Sequence, residues 1–440
     1  MISIVNPDAA GIDIGAEELY VSVPPDRDER PVRRFGTYTD DVHALAKWLI
    51  GCGIKTVAME STGVYWIPVY VILLQYGLEV CLVNARHLKN VPGRKSDVKD
   101  CVWLMDLHIL GLLRPSFIPE EGIIAMRSYL RHREALIEHR AVHVNHCQKS
   151  LTQMNVRLTE VVSDVTGVSG LKIMQAIANG ETDANKLLAH RNKHCKATPE
   201  QFVKALTANY RKEHVFTLKQ SLALYEAYSQ QVVECDRQIE AHLADMKPAQ
   251  DDEAGPGEAL GKSRKTNTHS KNAPDYDLRS ALYRLTGVDL TEIDGLHAST
   301  AQVIVSEIGS DMSKWKTSKH FSSWLGLSPK NDITGGKVRK SRTLPGNRRA
   351  SQAFKMGAQS LLKANCALGA QARQLRARLG AAQAVTAMAH KLARIVYSML
   401  KYKTSFATAS IEDYDKLQGE RLRKSLERRA AKLNMKLVPV

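Results

Sequence analysis

Four carboxylates in the first hundred residues have the types and spacing for chemistry. Asp13 lies in the apolar run Gly11-Ile12-Asp13-Ile14-Gly15. An acid flanked by apolar residues in a strand is costly unless something pairs with it. Glu60 closes another apolar run, Lys55 to Met59, ahead of the turn Ser61-Thr62-Gly63. Asp97 and Asp100 stand three apart at the start of a helical stretch, so both project from one face. Strand ends and a helix start can converge on one point. Carboxylates gathered there repel one another unless divalent cations neutralise them, and hard oxygen donors suit Mg²⁺ or Mn²⁺. Two such ions roughly 3.5–4 Å apart can activate an attacking group and stabilise the leaving oxygen in phosphoryl transfer. Singly, each acid has a plainer reading: Asp13 as a turn residue, Asp97 as a helix cap in Lys95-Ser96-Asp97. Together, in this order and on a basic chain, they point to a metal site.

The elements that must position them follow from the patterning. Ala10 to Gly15 reads as a strand, with Leu19 to Val23 and Val32 to Tyr38 as partners across a turn containing Pro24 and Pro25. Val42 to Ile50 has helical spacing, Lys55 to Met59 is a compact strand, Trp66 to Gln75 is helical and Leu78 to Val83 alternates as a strand. A helix then begins near Ser96, with Val98, Val102, Met105, Ile109 and Leu112 recurring at three and four residues. Three strands, helix, strand, helix, strand, helix is the RNase H-like order, an α/β domain.

Beyond it the pattern is helical. Ile124 to Leu158 and Thr217 to Ala244 are long amphipathic stretches that pair as an antiparallel coiled coil or pack inside a bundle. Lys247 to Pro274 is rich in Gly, Ser, Asn, Asp and Lys and reads as a disordered linker. Ile293-Asp294-Gly295-Leu296-His297 before Ser299 to Ile308 reads as a tight turn into a helix, the layout of a phosphate-binding helix-hairpin-helix or of a plain core element. Val385, Met388, Leu392, Ile395 and Met399 form a core stripe, and Arg421 to Lys436 a basic helical tail. The expected division is 1–118 for the catalytic domain, 119–246 for the helical region, 247–276 for the linker, 277–408 for a mainly α-helical C-terminal domain and 409–440 for the tail.

Charge narrows the partners. Lys and Arg number 62 against 46 Asp and Glu, a net charge of +16, which favours a polyanion because neutralised phosphates release counterions. Between Lys330 and Arg349 the cations are Lys330, Lys337, Arg339, Lys340, Arg342, Arg348 and Arg349 against the single acid Asp332. That bias beside a Gly-Gly pair reads as a phosphate track, the alternative being a solvated loop. Charges interrupt every stretch long enough to span a membrane, and no secretory signal is read at the N-terminus. The seven scattered cysteines form no CxxC pair, which suits a reducing cytoplasm.

The motifs GIDIG with Asp13, AMESTGVYW with Glu60 and GRKSDVKD with Asp97 and Asp100 resemble the DEDD transposases of bacterial insertion sequences, whose first domain is RuvC-like. WLGLSP at Trp324 to Pro329, ITGGK at Ile333 to Lys337 and AHKLAR at Ala389 to Arg394 resemble the same family's second domain. The resemblance implies Mg²⁺ or Mn²⁺ on the four carboxylates, donor and target DNA as substrates, and a serine of the second domain that forms a covalent 5′-phosphoseryl link. It also implies a noncoding bridge RNA that pairs with both DNAs, a homo-oligomer (dimer or tetramer) and a bacterial cytoplasmic location. This chain departs from the pattern at one point: Thr334 stands where the family commonly has Ser before the Gly-Gly pair. Threonine keeps the hydroxyl, but its methyl crowds the approach and stiffens χ1. Thr334 is the first candidate nucleophile, a nearby serine such as Ser341 the second, and an impaired copy the third. More than 230 positions separate Asp100 from Thr334, so a site using both is composite. The alternative function is a RuvC-like Holliday-junction resolvase or nuclease that cuts without a covalent intermediate.

Overall fold

The computed structural model describes residues 4–61, 63–84, 97–249, 260, 271–407, 411–432, 434–436 and 438. The chain divides into two compact units, Met1–Ile118 and Pro119–Val440, each with its own core.

In the first unit the strands are β1 (Ala9–Ile14), β2 (Glu18–Ser22), β3 (Val32–Gly36), β4 (Thr56–Glu60) and β5 (Glu79–Val83), with helices α1 (Thr39–Gly51), α2 (Trp66–Gln75) and α3 (Asp97–Ile109). They form one sheet in the order β3-β2-β1-β4-β5. The first three strands are antiparallel, and β4 and β5 run parallel to β1. This is the RNase H-like sheet that the element order predicts. β3 stops two residues short of the expected Tyr38 because Tyr38 has become the N-cap of α1. Alternation splits β1 between two surfaces. Ala10, Ile12 and Ile14 enter a core with Leu45 and Leu49 of α1 and Leu73 of α2. Gly11 lies on the other surface, beneath α3.

The second unit begins with two long helices, α4 (Glu121–Gln153) and α9 (Lys212–Asp245). They run antiparallel, from a hydrogen bond between His242 Nε2 and the Gly122 carbonyl (2.7 Å) at one end to Ser150 Oγ and Thr217 Oγ1 (3.0 Å) at the other. Between these ends Arg133 grips Asp236 through two bonds of 2.5 and 3.0 Å. The stretch expected to remain helical to Leu158 ends earlier, because Asn155 turns the chain with a positive φ. Val156 and Leu158 then enter a compact cap of α5 (Leu158–Val161), α6 (Val168–Ala178), α7 (Ala184–Leu188) and α8 (Pro199–Leu206) around Ile173 and Phe202.

The linker expected over 247–276 lies largely outside the described residues. Its described end is bonded to neighbouring structure: Asn272 accepts from Arg133 and Arg140, and Lys271 pairs with Asp164. There follow α10 (Leu278–Thr286), a short 3-10 turn (Leu290–Glu292), α11 (Ala298–Ile308) and α12 (Ser318–Trp324). The hairpin β6 (Pro329–Thr334) and β7 (Lys337–Thr343) comes next, then α13 (Arg348–Leu361), α14 (Ala367–Leu379), α15 (Ala381–Tyr402) and α16 (Ile411–Lys432). The turn before α11 is a core element: Ile293 and Leu296 are fully buried, and Ser360 of α13 donates to the Gly295 carbonyl (3.2 Å). On α15, Met388, Leu392 and Met399 of the predicted stripe are buried, while Val385 and Ile395 are half-buried at its margin. All seven cysteines are free thiols. Among the described residues no helix is long and apolar enough to cross a membrane.

Candidate active site

Asp13 and Glu60 stand at the C-terminal ends of neighbouring parallel strands. The register pairs Ile12 with Met59, and the two acids follow one step beyond. Both lie on the α3 side of the sheet. In β1, Gly11 shares its surface with Asp13 and meets α3. In β4, Thr56 shares its surface with Glu60 and bonds His108 of α3, Oγ1 to Nε2 at 2.8 Å. Both acids are half-buried.

The direction of α3 decides where its own acids stand. Its last turn lies at the start of β1: Val5 and Asn6 donate backbone N–H groups to the Ile109 carbonyl (2.8 and 3.1 Å), and the Asn6 side chain donates to the His108 carbonyl (2.7 Å). Its middle lies over Gly11, where an added Cβ would meet the Cys101 carbonyl oxygen at 2.2 Å and the Met105 nitrogen at 2.6 Å. Only glycine permits this approach. The Ser22 hydroxyl on β2 donates to the same Cys101 carbonyl at 2.8 Å. The helix therefore runs antiparallel to β1, and its first turn lies at the strand end that carries Asp13. At about 3.3 Å per strand residue, Asp13 is roughly 6.6 Å beyond Gly11. At about 1.5 Å per helical residue, Asp100 and Asp97 are roughly 4.5 and 9 Å beyond the middle of α3 in the same direction.

The electrostatics agree with this placement. Burial pushes the Cys101 thiol up to about 11, the Ser22 hydroxyl opposes the rise, and the Asp13 charge adds to it. At the far end of α3, burial holds His108 below its ordinary value. The start of a helix favours negative charge, so acids in the first turn of α3 gain from the dipole. The Asp97 backbone opens α3, but its side chain lies outside the described residues, and Asp100 is half-buried. Among the described residues no three His, Cys, Asp or Glu side chains stand together as a ready ion site. The donor chemistry nevertheless fits a hard divalent cation: carboxylate oxygens from two adjacent strand ends and a helix start, on one surface of one sheet.

The second predicted group of residues lies on the β6–β7 hairpin. Thr334 is the last residue of β6, Lys337 opens β7 opposite it, and Gly335 and Gly336 form the two-residue turn. Both glycines have positive φ, +58° and +72°, as a type I′ turn requires. The Gly-Gly pair is thus a tight two-residue hairpin turn. Thr334, Lys337, Arg339, Lys340 and Arg342 are all exposed. Arg348 and Arg349 open α13; Arg348 is exposed, whereas Arg349 is ion-paired with Glu134 of α4. The base of the hairpin is held where Leu325 and Gly326 pack against Gly346, and Asn347 caps α13 while donating to the buried Glu307 (3.1 Å). Arg131 bonds the other Glu307 oxygen at 2.9 Å.

A family model for DEDD transposases of the IS110 type, described as transposase, matches residues 10–156. A second, described as transposase of the IS116/IS110/IS902 family, matches residues 287–374. The chain carries both domains of an IS110-family transposase. It is a DNA transposase. Asp13, Glu60, Asp97 and Asp100 fall within the first match and the β6–β7 hairpin within the second. A transposase of this DEDD kind acts on DNA and implies use of divalent metal ions. No curated protein matches the chain. Sequence reasoning missed Gly11 and Ser22 as residues that seat the transposase's α3. The signal for Ser22 was a lone hydroxyl in the apolar strand Tyr20-Val21-Ser22-Val23.

Proposed function

We propose that this transposase cleaves and rejoins DNA through a covalent protein–DNA intermediate, with Thr334 as the attacking hydroxyl. The observation that carries the reading is the position of Thr334: an exposed hydroxyl at a strand end, fixed by a tight turn and set among cations. Asp13, Glu60, Asp97 and Asp100 would hold the metal, Mg²⁺ or Mn²⁺. When bound, the ions supply charge neutralisation at the phosphate under attack and at the leaving oxygen. Thr334 Oγ1 forms a bond to phosphorus as the bond from phosphorus to the 3′ oxygen breaks. This leaves a 5′-phosphothreonyl link and a free 3′ hydroxyl: the threonine proton passes to solvent, and the departing 3′ oxygen takes up a proton from solvent. Attack on that link by the 3′ hydroxyl of another strand restores Thr334 and joins the DNA. Lys337, Arg339, Lys340, Arg342, Arg348 and Arg349 hold nucleic acid.

On this reading specificity comes from a noncoding RNA that pairs with donor and target DNA, and the working form is a homo-oligomer in the bacterial cytoplasm. The segments 1–118, 119–246, 247–276, 277–408 and 409–440 are its working divisions. The net charge of +16 supports two polyanionic partners. Sequencing of RNA that co-purifies with the protein tests the guide, and absence of an enriched species removes it. A denaturing gel of labelled DNA, protein and Mg²⁺ tests the nucleophile. Thr334→Ala should bind DNA and form no adduct, whereas Thr334→Ser should keep or raise adduct formation by removing the crowding methyl. An adduct that survives Thr334→Ala and vanishes in Ser341→Ala moves the role to Ser341. Cleavage without any adduct in the unaltered protein supports the resolvase reading instead.

A further inference from the structure

The β6–β7 hairpin does not pair in a single register. From Pro329↔Thr343 to Asp332↔Lys340 the pairs follow one offset, and Ile333↔Val338 and Thr334↔Lys337 follow another. Arg339 is therefore an extra residue on β7, a β-bulge. Directly paired residues share a face of a ribbon, and successive residues alternate, so a one-residue shift exchanges the faces beyond it. Lys330, Asp332 and Thr334 of β6 consequently lie on one face with Lys337, Lys340 and Arg342 of β7. Asn331, Ile333, Ser341 and Thr343 lie on the other. Without the bulge, Lys340 and Arg342 would turn away from Thr334, and Ser341 would join it.

The result is strong segregation. Around Thr334 stand Lys330, Lys337, Lys340 and Arg342, with Asp332 the single acid, and none of these cations makes an ion pair among the described residues. The opposite face is uncharged apart from whatever Arg339 contributes at the bulge, and it exposes Ile333 at 61%. Same-face residues recur about every 6.6 Å along a strand. That is close to two nucleotides of duplex DNA, at about 3.4 Å each along one strand. A two-stranded ribbon is also narrow enough for the major groove.

We propose that the β6–β7 ribbon binds the sugar-phosphate backbone of duplex DNA through the face carrying Thr334 alone, and that the bulge at Arg339 sets this face. The inference rests on the reading of Thr334 as the attacking hydroxyl, because that role requires DNA on its face. It also makes Ser341 unfit for the same strand, since it points the other way.

The test is the salt dependence of binding by the full chain to a labelled mixed-sequence duplex. Lys340→Gln with Arg342→Gln should make the slope of log affinity against log salt shallower by about 1.8, at about 0.9 per lost phosphate contact. Asn331→Gln and Ser341→Ala on the opposite face should leave it unchanged. Inserting one threonine between Asp332 and Ile333 gives Arg339 a partner, removes the bulge and turns Lys340 and Arg342 away from Thr334. It removes no charge and keeps Lys330, Lys340 and Arg342 on one face, so it should separate Thr334 from the bound strand. Adduct formation should be lost while the slope changes by no more than about 0.9, for Lys337. A slope unaffected by the double variant overturns the proposal, as does an insertion variant that forms the adduct like the unaltered protein where Thr334→Ala forms none. A change seen with single-stranded RNA but not with the duplex also overturns it. Thr334→Ala separates the two claims: its salt slope should be unchanged. A persistent adduct there refutes the nucleophile while leaving the ribbon's binding face to stand or fall on the slopes.

Discussion

Gly11→Ala is the substitution whose consequence can be worked most fully from the structure. The new methyl would lie 2.2 Å from the Cys101 carbonyl oxygen, where ordinary contact begins near 3.4 Å. The atoms in the way belong to the backbone of α3, so the helix must retreat by a little over 1 Å. That retreat works against the Ser22 bond to Cys101 and draws the first turn of α3 away from the strand end carrying Asp13 and Glu60. Overpacking of this kind costs about 1–3 kcal/mol. At about 4 °C per kcal/mol, the first unit should melt roughly 4–12 °C lower. A displacement of about 1 Å in a catalytic group can lower the rate roughly 100-fold. Differential scanning calorimetry reads the first effect. Mn²⁺-dependent strand cleavage, measured below both melting points, reads the second. Gly51→Ala is the control, since a methyl there meets nothing within 4 Å. An unchanged midpoint in Gly11→Ala would refute the packing argument. A lowered midpoint with full cleavage would refute the idea that α3 positions catalytic acids.

Changing Asp13, Glu60, Asp97 or Asp100 to Ala should abolish strand cleavage while metal-free stability holds or rises, because like charges are removed; full recombination by any two of these variants would dismiss the metal assignment. Asp28 accepts from the Trp48 indole, the Arg30 backbone N–H and the Arg33 guanidinium, which hold its pKa down at about 2 against an ordinary 3.8. Its folded value is depressed, so its contribution is complete above the ordinary value and is lost as pH falls from about 4 towards 2. Asp28→Asn should lower the melting point at neutral pH and flatten its decline over that interval, and parallel acid profiles would show the carboxylate to be uninvolved. Arg133 and Asp236 are each only 12% exposed. Arg133→Ala strands a buried carboxylate and should cost about 3–5 kcal/mol by urea unfolding, whereas Arg133→Met with Asp236→Leu should recover most of the loss. Equal losses in the single and double variants would mean the charge pair is not the cause.

The sequence by itself determined much of the local order. Apolar alternation at Ala10 to Ile14 and Leu78 to Val83, and three- and four-residue spacing in α1, α2 and α3, follow from burying one surface of each element, which is written in single residues and their neighbours. It also placed the acids at strand ends and a helix start, because an acid in an apolar run is conspicuous. Only the tertiary structure decided how these elements meet. That α3 lies antiparallel to β1 depends on a contact between Gly11 and Cys101, 90 positions apart in the chain, and glycine carries no sign of the helix it admits. The early end of α4 at Asn155 depends on the core it turns to fill. The hairpin is the clearest case. Its cations were plain in composition, but their faces depend on cross-strand register, and one unpaired residue at Arg339 exchanges every face beyond it, which no count of charges along the chain can reveal.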